Sequence, residues 1–133
     1  MKITVDTNVL IRSVVRDDEK QARAAEKVLK EADVIAVALP VLCEFVWVLR
    51  KVYELAPADI ATAVRVLLDI RNLVVNRPAA EAGLSILDAG GDFADGVIAH
   101  EGNWLGGEIF VSFDKKAVAL LTEQGQSTTL LKA

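Results

Sequence analysis

An α/β fold, with a mostly parallel central sheet flanked by helices in three layers, is predicted for this chain by three observations. Short β-branched or apolar runs at residues 3–5, 34–39 and 109–111 alternate with segments whose apolar residues recur at helical spacing. Acids or prolines head most of the helical segments, and glycines close the later ones. With 133 residues, 53% apolar and 26% charged, the chain is long enough for one domain, 1–133, whose core needs no covalent staples.

Taken in order, Ile3-Thr4-Val5 is a strand ended by Asp6, and Val9, Leu10, Ser13 and Val14 continue as a helix. Asp17-Asp18 starts a second helix, with Gln21 three residues after Asp18 and a stripe of Ala22, Ala25, Val28, Leu29 and Ala32. The run Val34–Leu39 meets Pro40, a residue favoured at the first helical position, and Val41, Phe45, Val48, Leu49 and Val52 follow at 3.6 spacing. Pro57 and Pro78 open two more helices, separated by a short strand at Leu73–Val75. Asp92 caps a helix carrying Ala94, Val97, Ile98 and Leu105, which stops at Gly106-Gly107. Ile109–Val111 is a strand, Lys115 to about Gln124 a helix stopped by Gly125, and Thr128–Leu131 closes the sheet.

Composition removes several function classes. One cysteine, Cys43, excludes an intramolecular disulfide framework. Asp6 and Asn8 interrupt the stretch that a secretion signal would keep apolar, and no apolar run approaches the ~18 residues of a membrane span. A soluble, cytoplasmic protein with no membrane partner is the expectation. The net charge of -4 gives no global attraction to polyanions, so any contact with nucleic acid must be local or metal-assisted.

In a parallel sheet, ligands sit beyond the carboxyl ends of the strands. Asp6 ends the first strand, Glu44 lies one turn into the helix after the second, Asp95 is in the first turn of the helix opening at Asp92, and Asp114 follows the third. Four carboxylates from four segments are predicted to converge on one rim. Singly, Asp114 and Asp92 fit helix caps as well as ligands, and Asp95 fits a favourable charge in a first helical turn. Asp6 either caps the next turn or binds something. Glu44, beyond the capping positions and beside Trp47 and Val48, needs a partner for any structural role.

Together, like charges a few Å apart repel by roughly 3 to 4 kcal/mol per pair at an effective dielectric near 20, so a counter-ion is expected. An all-oxygen donor set suits Mg²⁺ or Mn²⁺ rather than zinc. The chemistry implied is metal-dependent phosphodiester hydrolysis. Thr7, Asn8 and Ser112 offer hydroxyl and amide groups around the acids, and Asp92 could join them. His100, five residues past Asp95, points away from it on a helix and has no second histidine to share a metal.

Asp6-Thr7-Asn8-Val9-Leu10, Pro40 to Glu44, Asp92-Phe93-Ala94-Asp95-Gly96 through Ala99, and Val111-Ser112-Phe113-Asp114 resemble, in order and spacing, the signature of a PIN domain. The likeness spans nearly the whole chain and is greatest to the VapC-type toxin ribonucleases of toxin-antitoxin modules. It implies a PIN fold, Mg²⁺ or Mn²⁺ held by Asp6, Glu44, Asp95 and Asp114, and cleavage within RNA. It also implies a homodimer in a prokaryotic cytoplasm and inhibition by a cognate VapB-like antitoxin. Two positions depart from the family's habit without removing an acid: Gly96 stands where alanine is common, and Ser112 where threonine is.

The haloacid dehalogenase pattern needs an acid where this chain has Asn8, and a receiver domain needs adjacent acids after its first strand. The alternatives kept open are an inactive PIN-like binding module and another Mg-dependent phosphohydrolase.

Overall fold

The computed structural model describes residues 1–133, and the chain divides into two compact units, Met1–Arg77 and Pro78–Ala133. The first unit runs β1 (Lys2–Thr4), α1 (Thr7–Val14), α2 (Glu19–Glu31), β2 (Val34–Ala36), α3 (Leu39–Lys51), α4 (Pro57–Leu68) and β3 (Leu73–Val74). Its strands are parallel in the order β1-β2-β3, with Ile3 opposite Ile35 and Ile35 opposite Leu73.

Strand β2 is shorter than the apolar run that encodes it. The Val37 N–H still donates to Val74 O at 2.9 Å, but Ala38 caps α3 and Leu39 is already helical. Pro40 therefore falls just inside the first turn rather than at its head; its ring fixes φ at a helical value and its missing N–H would have had no acceptor there. Asp18 caps α2 as its spacing predicts, accepting the Gln21 N–H at 3.1 Å. The helices bury Leu10, Ile11, Leu42, Phe45, Leu49, Ile60 and Val64 almost completely. Each such side chain removed from water stabilises the unit by about 1.5–3 kcal/mol.

A polar knot ties the end of α1 to the loops that follow α1 and α3. Arg12, in the last turn of α1, donates from Nη1 to Asp17 at 2.7 Å and to the Tyr53 hydroxyl at 3.4 Å. That hydroxyl donates in turn to the other Asp17 oxygen at 3.0 Å. Burial pushes the Asp17 carboxyl up, but the bonds from Tyr53 and Arg12 prevail and hold it below the usual carboxylate range.

In the second unit α5 (Arg77–Asp88), which starts at the boundary, is followed by α6 (Phe93–Trp104), β4 (Phe110–Ser112), α7 (Lys115–Glu123) and β5 (Thr128–Leu130). The final segment does not close a single sheet as the sequence suggests: it pairs with β4 alone, parallel and with Val111 opposite Thr129, in a two-stranded sheet. Phe110 and Leu120 pack on a buried cluster of Ile86, Ala99 and Leu121. The α/β class read from the sequence is the one observed, and every ladder is parallel.

Helix α6 corrects the sequence pattern. Its apolar spacing marks Ile98 and Leu105 as inward, yet these are 58% and 84% exposed, while Phe93, Gly96, Val97 and Ala99 are buried. The reason is a close approach of α6 to α5. A Cβ added at Gly96 would lie 2.4 Å from the Ala82 carbonyl oxygen and 2.8 Å from Gly83 Cα, and one at Gly83 would meet the Phe93 ring at 2.6 Å. A helix face that uses glycine for contact leaves no apolar mark in the sequence.

Candidate active site

Asp6 leaves β1 and caps α1, its Oδ1 accepting the Val9 N–H at 3.2 Å. The sequence left it between cap and ligand; one oxygen is now accounted for, and the other has no protein partner. Thr7 is buried as the first residue of α1, while Asn8 is exposed beside it. Glu44 sits in the second turn of α3 and is exposed, as is Trp47 three residues on. The parallel register that places Thr4 opposite Ala36 sets the ends of β1 and β2 level. Asp6 and the start of α3 therefore leave the same carboxyl edge of this sheet.

In the second unit Asp92 caps α6, accepting the Ala94 N–H at 3.1 Å, and Asp95 stands in its first turn, half-buried. Asp114 caps α7 by accepting the Ala117 N–H at 3.0 Å. Ser112 is more than a strand-end residue: its Oγ accepts the Asp114 N–H at 2.9 Å and so fixes the turn that carries the acid. A family model for the PIN domain matches residues 3–120, a span that includes every one of these acids. The chain belongs to the PIN domain family. A search of curated proteins gives no match.

PIN domains are in general nucleases that bind RNA and typically use divalent metals. The Asp95 carboxyl is pushed above the usual carboxylate range, first by burial and then by the negative charges of Asp92 and Asp114. None of Asp6, Glu44, Asp92, Asp95 or Asp114 takes part in the ion pairs of the chain, which use Asp17, Glu19, Glu26 and Asp33. Within neither unit do three such side chains stand close enough to enclose an ion by themselves. Asp95, repelled by Asp92 and Asp114 and with none of the three in an ion pair, fits a hard divalent cation that keeps part of its water shell, because its charge would reverse each repulsion.

The sequence missed Gln21 as a neighbour of Asp6. The two line one groove between α1 and α2, and the only local signal was the position of Gln21 in the cap of α2.

Because three of the acids cap helices, charge and cap can be separated by substitution. Asn accepts a cap bond about as well as Asp, whereas Ala accepts none. Asp6→Ala, Asp92→Ala and Asp114→Ala should each lower the stability of metal-free protein by about 0.5–2 kcal/mol. The corresponding Asn variants should stay close to the parent in urea denaturation midpoint. Equal losses for Ala and Asn at one position would show that the carboxylate charge, not the cap bond, supports that helix.

Proposed function

We propose that this PIN domain is a Mg²⁺- or Mn²⁺-dependent endoribonuclease that hydrolyses RNA phosphodiester bonds, with Asp6, Glu44, Asp95 and Asp114 as the carboxylates that hold the metal. The observation that carries the reading is Asp95: a half-buried acid facing two other acids, in a chain of a nuclease family, with no basic side chain to balance it. When bound, a divalent cation supplies a water of lowered pKa and neutralises charge on the phosphate.

The residues of the chain do the rest. Asp6 and Asp114 each give one oxygen to a helix start and keep the other for the site, so their orientation is fixed before any ligand arrives. Ser112 positions Asp114 through its backbone. Asp92 holds the first turn of α6, and with it Asp95. The N-terminus of α1 lies at Asp6, and those of α6 and α7 lie at Asp92 and Asp114, so each places partial positive charge beside its own acid, which favours an anionic phosphate there in a protein of net charge -4. Thr7 and Asn8 are assigned to the surroundings of Asp6.

The likeness of the four motifs to VapC-type toxins supports a finer reading. The domain acts as the toxin of a prokaryotic toxin-antitoxin pair in the cytoplasm, as a homodimer silenced by a VapB-like antitoxin. No helix is long and apolar enough to cross a membrane.

Purified protein free of any partner should cut RNA with Mg²⁺ or Mn²⁺, stop in excess EDTA, and recover when the metal is restored. Cleavage undiminished by the chelator would end the metal mechanism. Failure to cut total RNA with either metal would favour the inactive binding module. For the toxin role, induced expression should arrest growth in the parent and not in Asp95→Asn.

A further inference from the structure

A groove of about 350 Å³ lies between α1 and α2 in the first unit. Val9, Ala24, Ala25 and Val28 make most of its surface apolar, and Val28 is 47% exposed there. Asn8 and Gln21 bring two carboxamides to it, and Asp6 stands at its edge. The N–H that Asp18 accepts belongs to the Gln21 backbone, so the side-chain amide remains available to a ligand. The one cation in the lining, Arg12, pairs with Asp17 through Nη1 at 2.7 Å, while its Nε is buried without a partner.

We infer that this groove takes one unstacked nucleobase of single-stranded RNA and reads its edge with Asn8 and Gln21. The inference rests on Asp6 belonging to the reaction centre, and four features of the groove select the occupant. With the charge of Arg12 balanced by Asp17 and the Asp6 carboxylate at its edge, the interior of the groove offers no net positive charge to a phosphate or an acidic peptide, so the group bound inside it is neutral. The apolar walls fit the faces of a flat ring, while each carboxamide offers a donor and an acceptor to the ring's edge. An aliphatic side chain of a protein partner would cover the same walls but leave two amides desolvated without partners. Finally, the volume is at the lower end for ligand pockets and suits a single base. Single-stranded RNA is recognised through just such splayed bases, and one whose phosphate lies at Asp6 has its flanking base within a nucleotide's reach.

The test uses the full chain in EDTA, where no cleavage competes, and follows the methyl resonances of Ala24, Ala25 and Val28 by NMR. The probes are the four single-base RNA hexamers and an abasic hexamer of equal charge. At least one base-bearing hexamer should shift these methyls, bind at least about ten-fold more tightly than the weakest of the four, and leave the abasic strand without effect. Gln21→Ala should shrink that ratio to about three-fold or less, and Ala24→Leu, which fills the groove from an exposed position, should abolish the methyl shifts.

Equal shifts from the abasic strand would overturn the inference in favour of backbone attraction. Silence from every hexamer would overturn it and leave the groove to an apolar side chain of a protein partner. RNA cleavage with Mn²⁺, measured separately, keeps the two readings apart. Cleavage with silent methyls removes the base pocket alone, whereas base-dependent shifts without cleavage support the pocket and remove the nuclease.

Discussion

Asp95→Asn should cost on the order of a thousand-fold in RNA cleavage, beyond the 10–100-fold typical of groups that only orient a metal's ligands, while the metal-free variant melts no lower than the parent. Both effects have one cause. The carboxyl of Asp95 is destabilised as an anion by burial and by Asp92 and Asp114, so the amide relieves in the metal-free fold what it takes from the site. The sign can be followed in pH. The folded-state pKa lies above the unfolded one, so between the two values the native state holds the extra proton, and stability falls as pH rises through that window. The parent should show this acid-side slope in EDTA, Asp95→Asn should lack it, and added Mg²⁺ should reverse the loss by favouring the carboxylate. A variant that melts well below the parent yet still cleaves would make Asp95 structural.

Gly96→Ala should destabilise the protein by about 1–3 kcal/mol, against a helix propensity that alone would favour alanine by ~1 kcal/mol. The substitution adds a single methyl, which would lie 2.4 Å from the backbone oxygen of Ala82. Backbone cannot rotate aside as a side chain does, so α6 must move off α5. Thermal melting should fall by roughly 4 to 15 °C for that loss in a chain of this size. Since α6 carries Asp95, activity at a temperature where the variant is folded should fall as well. A variant as stable as the parent would show that α5 and α6 do not pack this closely.

These two positions illustrate what the sequence discloses and what it withholds. Cap signals are local: Asp18 with Gln21, Pro57 and Gly125 act through neighbours a few residues away, and α2, α4 and α7 begin or end where those residues require. The places of Asp6, Asp92 and Asp114 were legible for a similar reason, because each heads a helix. The buried face of α6 was not legible, since Gly96 makes its contact by having no side chain. The end of β2 was misjudged because Val37 remains extended and bonded after the ladder proper ends. Gln21 looked like cap chemistry alone, and its place beside Asp6 depends on how α1 meets α2, which no local pattern encodes. Ser112 is placed around the acids by sequence, and what no local pattern discloses is that its hydroxyl holds the turn before Asp114.

The capping aspartates carry a genetic consequence. An aspartate codon becomes an asparagine codon by a single first-position transition, and at Asp6 and Asp114 that change keeps the helix start while deleting the charge. On the proposed nuclease reading, the domain lies one nucleotide from a silent copy that still folds and still presents its grooves. On that reading, populations carrying it can shed the proposed activity and retain the scaffold, and a non-cleaving domain of the same shape becomes an accessible evolutionary neighbour rather than a remote one.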